Sequence, residues 1–262
     1  MRRQVIQIST EEIGAHKDLS HPTIFHELLN SNLPDEEKSV ERLTDEAQTI
    51  IGAGQETVAW ILTVITCHLL SNPAILQKLK AELATAMPDP NIVTPEATLA
   101  NLPYLTGVIK EGLRLGYGVS TRLARIPHEP LIFSSDDRDW TIPAGTPVGM
   151  TSVLIHHDES IFPNSKEFRP ERWIEDPRLD RYLVAFSKGS RACLGMNLAY
   201  AEMYLWLAAV YRRFGSKEVR FESDEGVLEL VDTDLSDVEI VADRFVPIVK
   251  PESKGVRVRV LP

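Results

Sequence analysis

The chain has 262 residues, of which 43% are hydrophobic and 25% charged, as expected for a globular protein with a sizeable core. Its formal net charge of -10 argues against nucleic-acid binding through phosphate neutralisation and against attraction to an anionic membrane surface. The two cysteines, Cys67 and Cys193, are too few for a disulfide framework, which indicates a reducing compartment such as the cytosol or the cytosolic face of an organelle.

The N-terminal segment, up to about Leu33, is predicted to form helix and loop. Its first residues contain no apolar stretch long enough for a secretory signal. After the acidic stretch 34–42, Thr44 is predicted to cap a long apolar helix that ends before residues 72–73, Asn-Pro.

Segment 50–70 of this helix is as long as a membrane-spanning helix. Glu56 lies inside it, and a carboxylate at the centre of a membrane costs about 2.5–3.5 kcal/mol on insertion scales. A buried helix in a soluble core is therefore favoured. Gly52 and Gly54 cost about 1 kcal/mol each relative to alanine within a helix. This cost indicates that the two glycines serve a purpose other than helix stability.

The elements that follow predict a mainly α fold. Two amphipathic helices are expected, over 73–87 and over 103–115. Between about 121 and 155, β-favouring runs separated by Pro and Gly turns predict a small antiparallel β-sheet. An irregular segment, 161–186, precedes a helix ended by Gly215, and the tail returns to strands. No repeat divides the chain, so it is interpreted as one domain or part of one.

Segment 186–195, FSKGSRACLG, surrounds Cys193 with residues that suit a reactive thiol. Gly189, Arg191 and Gly195 bring backbone N–H groups and positive charge close to the sulfur atom. Such an environment stabilises a thiolate. Cys67 lacks neighbours of this kind and is interpreted as a small buried hydrophobe.

FSKGSRACLG resembles the Phe-x-x-Gly-x-Arg-x-Cys-x-Gly signature of the cytochrome P450 family at all of its fixed positions. Three further motifs occur in the family's order. AGQET at 53–57 resembles the oxygen-groove motif, EGLR at 111–114 the Glu-x-x-Arg motif, and FRPERW at 168–173 the Pro-Glu-Arg element. The resemblance is closest to fungal members. It implies the C-terminal half of the cytochrome P450 fold, with 1–262 as a partial P450 domain.

The resemblance implies that the protein binds haem b (iron protoporphyrin IX) and that Cys193 is the axial thiolate ligand of the iron. Phe186 is expected to pack near this ligand and to limit solvent. Gly189 and Gly195 are expected to allow a tight turn whose N–H groups point at sulfur.

Two further groups of residues are expected to serve the haem. Arg191 carries a guanidinium suited to a propionate, and the family pattern makes Arg125 a second candidate. On the opposite face, Glu56 and Thr57 are expected to be a buried acid and an alcohol that deliver protons during O2 activation. Gly54 is expected to allow a distorted helical turn that holds O2 and a water.

Glu111, Arg114 and Arg172 are expected to form a buried ion-pair network with a structural role behind the thiolate loop. His156 and His157 are adjacent and precede an aspartate, which suggests a metal site. Adjacent residues on an extended segment point to opposite faces, however, so a structural or surface role is favoured for this pair.

The resemblance implies a haem-thiolate monooxygenase that inserts one oxygen atom from O2 into an apolar small molecule. NADPH would supply electrons through NADPH-cytochrome P450 reductase. A full-length relative is expected at the cytosolic face of the endoplasmic reticulum membrane, and this chain as it stands in the cytoplasm. Complete family members are roughly twice as long, so we expect a truncated chain, without the membrane anchor, that leaves an apolar side of the central helix uncovered.

Three alternatives stay open at this point. The chain could be a non-catalytic remnant that binds haem poorly or not at all. It could be a haem-thiolate enzyme that rearranges a peroxide without O2 or a reductase, against which the Glu56–Thr57 pair argues. It could also be a cysteine hydrolase with Cys193 as its nucleophile, which the matched neighbours of this cysteine disfavour.

Overall fold

The computed structural model describes residues 2–10 and 23–262, so the part of the N-terminal prediction that covers residues 11–22 lies outside the described residues. The chain forms two units, Met1–Glu56 and Thr57–Pro262. Helices predominate and the sheets are small, which confirms the predicted mainly α fold with a small antiparallel β-sheet.

Short helices and the start of a long helix make up the described part of the first unit. They are α1 (Arg2–Thr10), α2 (Ile24–Asn30), a 3-10 turn (Asp35–Lys38) and the first part of α3 (Val40–Ser71). The predicted N-cap at Thr44 is wrong. The Ser39 hydroxyl accepts a hydrogen bond from the Arg42 N–H at 3.3 Å, so the helix begins one turn earlier, and the Thr44 hydroxyl donates to the Val40 carbonyl oxygen instead.

Helix α3 continues without a break through Gly52 and Gly54, and a Cβ atom added at either glycine would meet no atom within 4 Å. The distorted turn expected beside Gly54 is therefore not present in α3. Ile50 and Ile51 are exposed, whereas Val58 and the apolar residues that follow it on one face are buried. By length and composition α3 could cross a membrane, but core helices of soluble proteins pass the same test.

Six more helices follow in the second unit. They are α4 (Pro73–Ala86), α5 (Glu96–Leu99), α6 (Pro103–Gly116), α7 (Ser152–His156), α8 (Arg172–Glu175) and α9 (Met196–Arg213). Helices α4, α6 and α9 contact one another around an aliphatic core. Gly112 allows α3 and α6 to approach, because a Cβ atom there would lie 2.2 Å from Cγ1 of Ile65. As predicted, Asn72 separates α3 from α4, and its side chain caps α4.

The strands form three small sheets. They are β1 (Leu131–Ser135), β2 (Arg138–Ile142), β3 (Phe214–Gly215), β4 (Gly226–Leu230), β5 (Ala242–Arg244), β6 (Val246–Ile248) and β7 (Val258–Leu261). The β1–β2, β5–β6 and β4–β7 pairs are antiparallel, and β3 pairs with β4 in parallel.

The predicted sheet over 121–155 is correct at the β1–β2 hairpin and wrong at its end. Residues 152–156 form α7, because the Thr151 hydroxyl accepts a hydrogen bond from the Val153 N–H and caps a helix there. The segment expected to be irregular is mostly turns, with α8 and a 3-10 turn (Pro177–Tyr182) inside it.

Candidate active site

Cys193 lies on the loop between a 3-10 turn (Gly189–Arg191) and α9, and its side chain is exposed. Its N–H donates a hydrogen bond to the Phe186 carbonyl oxygen at 2.9 Å, which closes the loop. Gly189 has φ +76°, a conformation that residues with a Cβ atom rarely adopt. Gly195 has an ordinary φ of -85° and a Cβ atom added there would meet no atom within 4 Å, so neither backbone conformation nor packing requires glycine at this position.

The start of α9 lies next to Cys193 in the chain. Because α9 begins directly after this loop, the first amides of the helix lack intrahelical acceptors and carry partial positive charge. The ring of Phe186 lies 5.3 Å from the ring of Tyr200 on α9, and Phe186 is half-buried. Phe186 thus packs against α9, while the Sγ atom of Cys193 stays accessible.

The second cysteine has the opposite environment. Cys67 is fully buried on α3, and its Sγ atom lies 3.6 Å from the Asp234 carbonyl oxygen. Burial raises the pKa of the Cys67 thiol to about 11. Cys67 is therefore a neutral packed thiol, as its sequence context suggested.

A cavity of about 560 Å³ lies beside Cys193 within the second unit. Its wall contains five of the residues singled out in the sequence, which are Thr57, Arg125, Phe186, Arg191 and Cys193. Most of the remaining wall is apolar and includes Val58, Ile61, Leu113, Leu123, Val148 and Met203. The cavity is of a size and character that suit an organic ligand.

Two arginines in this wall, Arg125 and Arg191, differ in their hydrogen bonding. Nη1 of Arg125 donates to the carbonyl oxygens of Leu123 and Ala124, at 3.2 and 3.1 Å, within its own segment. The Arg191 side chain is exposed and makes no hydrogen bond or ion pair within the described ranges 2–10 and 23–262. Of the two, Arg191 is the cation more available to a ligand carboxylate.

The structure brings Thr57 to the cavity but not Glu56. Thr57 is half-buried in the cavity wall, whereas Glu56 is exposed and is not a lining residue. The expected burial of Glu56 is therefore wrong in this structure. Neighbouring residues on an α-helix point about 100° apart, so one face of α3 cannot present both side chains equally.

The Glu111 carboxylate is the centre of a buried network. Arg114 donates to both of its oxygens, at 2.7 and 3.0 Å, and Nε of Arg172 donates at 3.1 Å. Trp173 Nε1 and the Arg169 backbone N–H also donate to it, at 2.9 and 3.0 Å, and the sequence did not predict these two contacts. A buried carboxylate with four donor groups is well satisfied, which supports a structural role.

His156 is the last residue of α7 and His157 caps its C-terminus, and the sequence predicted no partner for either ring. His156 is fully buried and contacts the Arg114 carbonyl oxygen and the Val184 N–H through its two ring nitrogens. Nε2 of His157 lies 2.6 Å from the Tyr117 hydroxyl. The two residues were predicted to point to opposite faces of an extended segment, but His156 ends a helix. Within the described residues, no group of three or more His, Cys, Asp or Glu side chains could hold a metal ion.

The donor set fits a haem. One accessible thiol is too few ligands for a bare metal ion, which is normally held by several protein donors. It is enough for iron whose in-plane ligands come from a porphyrin. The apolar cavity suits the macrocycle, and the Arg191 guanidinium suits a propionate.

In haem-thiolate proteins a cysteine thiolate is the protein ligand of the iron, and here the accessible Cys193 faces an apolar cavity in a mainly helical fold. A family sequence model described as Cytochrome P450 matches residues 2–231. The chain therefore belongs to the cytochrome P450 family.

Fungal proteins are among its relatives, as the motifs indicated. The chain is 49% identical to the cytochrome P450 monooxygenase tpcC of Cochliobolus heterostrophus, covering 99% of this chain and 50% of the relative. It is 50% identical to the cytochrome P450 monooxygenase astB of Talaromyces wortmannii, covering 98% and 53%. It is 43% identical to the N-acetyltryptophan 6-hydroxylase ivoC of Emericella nidulans, covering 99% and 49%. The chain spans about half the length of these relatives.

Proposed function

We propose that this chain is part of a haem-thiolate monooxygenase that inserts one oxygen atom from O2 into an apolar small molecule. The observation that carries this proposal is the accessible Cys193 thiol in the wall of a 560 Å³ apolar cavity. Family membership supports haem b as the cofactor and O2 as the co-substrate. The names of the relatives, monooxygenases and a hydroxylase, support the reaction class.

Haem iron with a thiolate ligand supplies the activation of O2 when the cofactor is bound. Cys193 would hold the iron, and the bond from its N–H to the Phe186 carbonyl oxygen fixes the backbone from which the sulfur projects. Arg191 would bind a propionate through charge-assisted hydrogen bonds, with Arg125 as a second, more constrained donor.

Thr57 and Glu56 are proposed to move protons toward the cavity. The Thr57 hydroxyl can donate and accept hydrogen bonds, so it can hold a proton-carrying water at the cavity wall. Glu56, the exposed neighbour of Thr57, can exchange protons with solvent. The apolar wall around Thr57 would keep other water out and bind the apolar substrate.

The proposed electron source is NADPH, through NADPH-cytochrome P450 reductase as partner. The proposed location of the whole protein is the cytosolic face of the endoplasmic reticulum membrane. Family membership supports both proposals.

The test is the absorption spectrum of the reduced, CO-bound protein after expression with haem supplied. We expect the long-wavelength Soret band of thiolate-ligated haem, its loss in Cys193→Ser, and its retention in the matched control Cys67→Ala. A band that survives in Cys193→Ser would overturn the assignment of the ligand. Failure of the wild-type chain to take up haem would indicate a non-catalytic chain.

A further inference from the structure

Arg114 and His156 are joined by two reciprocal hydrogen bonds. Nη1 of Arg114 donates to the His156 carbonyl oxygen at 2.8 Å, and Nδ1 of His156 lies 2.8 Å from the Arg114 carbonyl oxygen. That carbonyl belongs to the last turn of α6, where backbone oxygens lack intrahelical donors. His156 is thus hydrogen-bonded to both the side chain and the backbone of Arg114, whose guanidinium binds the Glu111 carboxylate.

The second ring nitrogen of His156 reaches the segment that leads to the cysteine. The Val184 N–H donates to Nε2 of His156 at 3.0 Å. Val184 lies two residues before Phe186, whose carbonyl oxygen accepts the Cys193 N–H. A series of hydrogen bonds therefore runs from the Glu111–Arg114 pair through His156 to the Val184 N–H, and two residues of backbone connect Val184 to the loop that carries the sulfur atom.

The partners of the ring determine its protonation. An amide N–H can only donate, so Nε2 must accept, and a carbonyl oxygen can only accept, so Nδ1 must carry the proton. A second proton on Nε2 would replace its hydrogen bond with the Val184 N–H by a contact between two donors. His156 is 0% exposed, and burial lowers its pKa to about 3. The ring therefore remains neutral in the folded protein.

We infer that His156 is a positioning residue for the Cys193 loop, acting as a neutral bridge between the buried Glu111–Arg114 pair and the backbone at Val184. The inference rests on the proposed function only in giving Cys193 the role of ligand. The hydrogen bonds that define the bridge do not depend on haem.

Two matched substitutions separate positioning from general packing. His156→Gln keeps an acceptor near the position of Nε2 and loses the donor at Nδ1. His156→Asn keeps a donor near Nδ1 and loses the acceptor for Val184. Both remove the ring and one hydrogen bond, so a purely structural role predicts similar behaviour from the two variants.

The readouts, made without haem and in a Cys67→Ala background, are hydrogen exchange at the Val184 amide and the rate of Cys193 alkylation. In His156→Asn we expect Val184 exchange to be about tenfold faster, since its buried donor loses its acceptor. Alkylation of Cys193 should also change severalfold. His156→Gln should stay near the parent chain in both measurements. Equal changes in the two variants would overturn the inference.

A measurement on the wild-type chain covers the case in which His156→Asn does not fold. Nitrogen-15 spectra of labelled histidine should show His156 protonated at Nδ1 and unprotonated at Nε2 at neutral pH. The other tautomer, or a charged ring, would overturn the bridge. If the wild-type chain and both variants fail to bind haem, but Val184 exchange and Cys193 alkylation change in His156→Asn alone, the proposed function fails and the positioning role of His156 stands.

Discussion

The N–H of Cys193 and the carbonyl oxygen of Phe186 form a 2.9 Å hydrogen bond across the loop before α9. This bond occupies the amide of the cysteine, so that amide is not available to stabilise its own sulfur atom. The loop owes its shape to this bond and to the left-handed conformation of Gly189.

Gly189→Ala should destabilise the protein. With φ +76° and no atom within 4 Å of an added Cβ, the cost is that of the backbone alone, about 1–2 kcal/mol in the free energy of unfolding. Urea denaturation measures this change. The matched control is Gly52→Ala, in the continuous helix α3, which should stabilise by about 0.5–1 kcal/mol. A loss of stability at both positions would contradict this account.

Glu111→Gln should cost far more than the loss of a surface ion pair. It leaves Arg114 and Arg172 buried without a carboxylate, and we expect the free energy of unfolding to fall by about 3–5 kcal/mol. Glu225→Gln removes the partly exposed partner of Arg213 and should change it by less than about 1 kcal/mol. Comparable losses in the two variants, measured by denaturant titration, would show that the Glu111 network is not a structural centre.

Stability should fall with acid because of His68. Its ring stacks on Phe168, with centroids 4.6 Å apart, and burial lowers its pKa from 6.5 to about 4. Between these values the unfolded chain binds a proton that the folded chain does not. Unfolding free energy should therefore decrease as pH falls from about 6.5 to 4, by at most about 1.4 kcal/mol per pH unit for this group.

The test compares unfolding free energies across that pH range in two variants. His68→Phe keeps an aromatic ring against Phe168 and should make the pH dependence shallower. Asn91→Gln, at an exposed position, changes no titratable group and should leave it unchanged. An unchanged slope in His68→Phe would assign the acid sensitivity to other groups.

Arg191→Gln should weaken haem retention by about tenfold, since it removes a charged donor from the cavity wall. Transfer of haem to a scavenging apoprotein measures the loss. Arg178→Gln is a suitable control, because Arg178 is exposed and paired with Asp176 outside the cavity. Equal retention in the two variants would remove Arg191 from the proposed propionate site.

Local sequence signals predicted much of the fold. Asn72 and Pro73 separate α3 from α4 because both act through their own backbone neighbours. The prediction failed where two local signals competed. Ser39 rather than Thr44 begins α3, and the Thr151 cap turns the β-favouring residues 152–156 into α7.

The sequence by itself determined the family, the cysteine motif and three members of the buried network, Glu111, Arg114 and Arg172, because each lies in a short motif of defined residue types. Only the tertiary structure decided that Thr57 lines the cavity while Glu56 is exposed, and that His156 connects Arg114 to Val184. Burial and hydrogen bonds of this kind join residues far apart in the chain. They exist only when distant segments have packed, so no short sequence pattern encodes them.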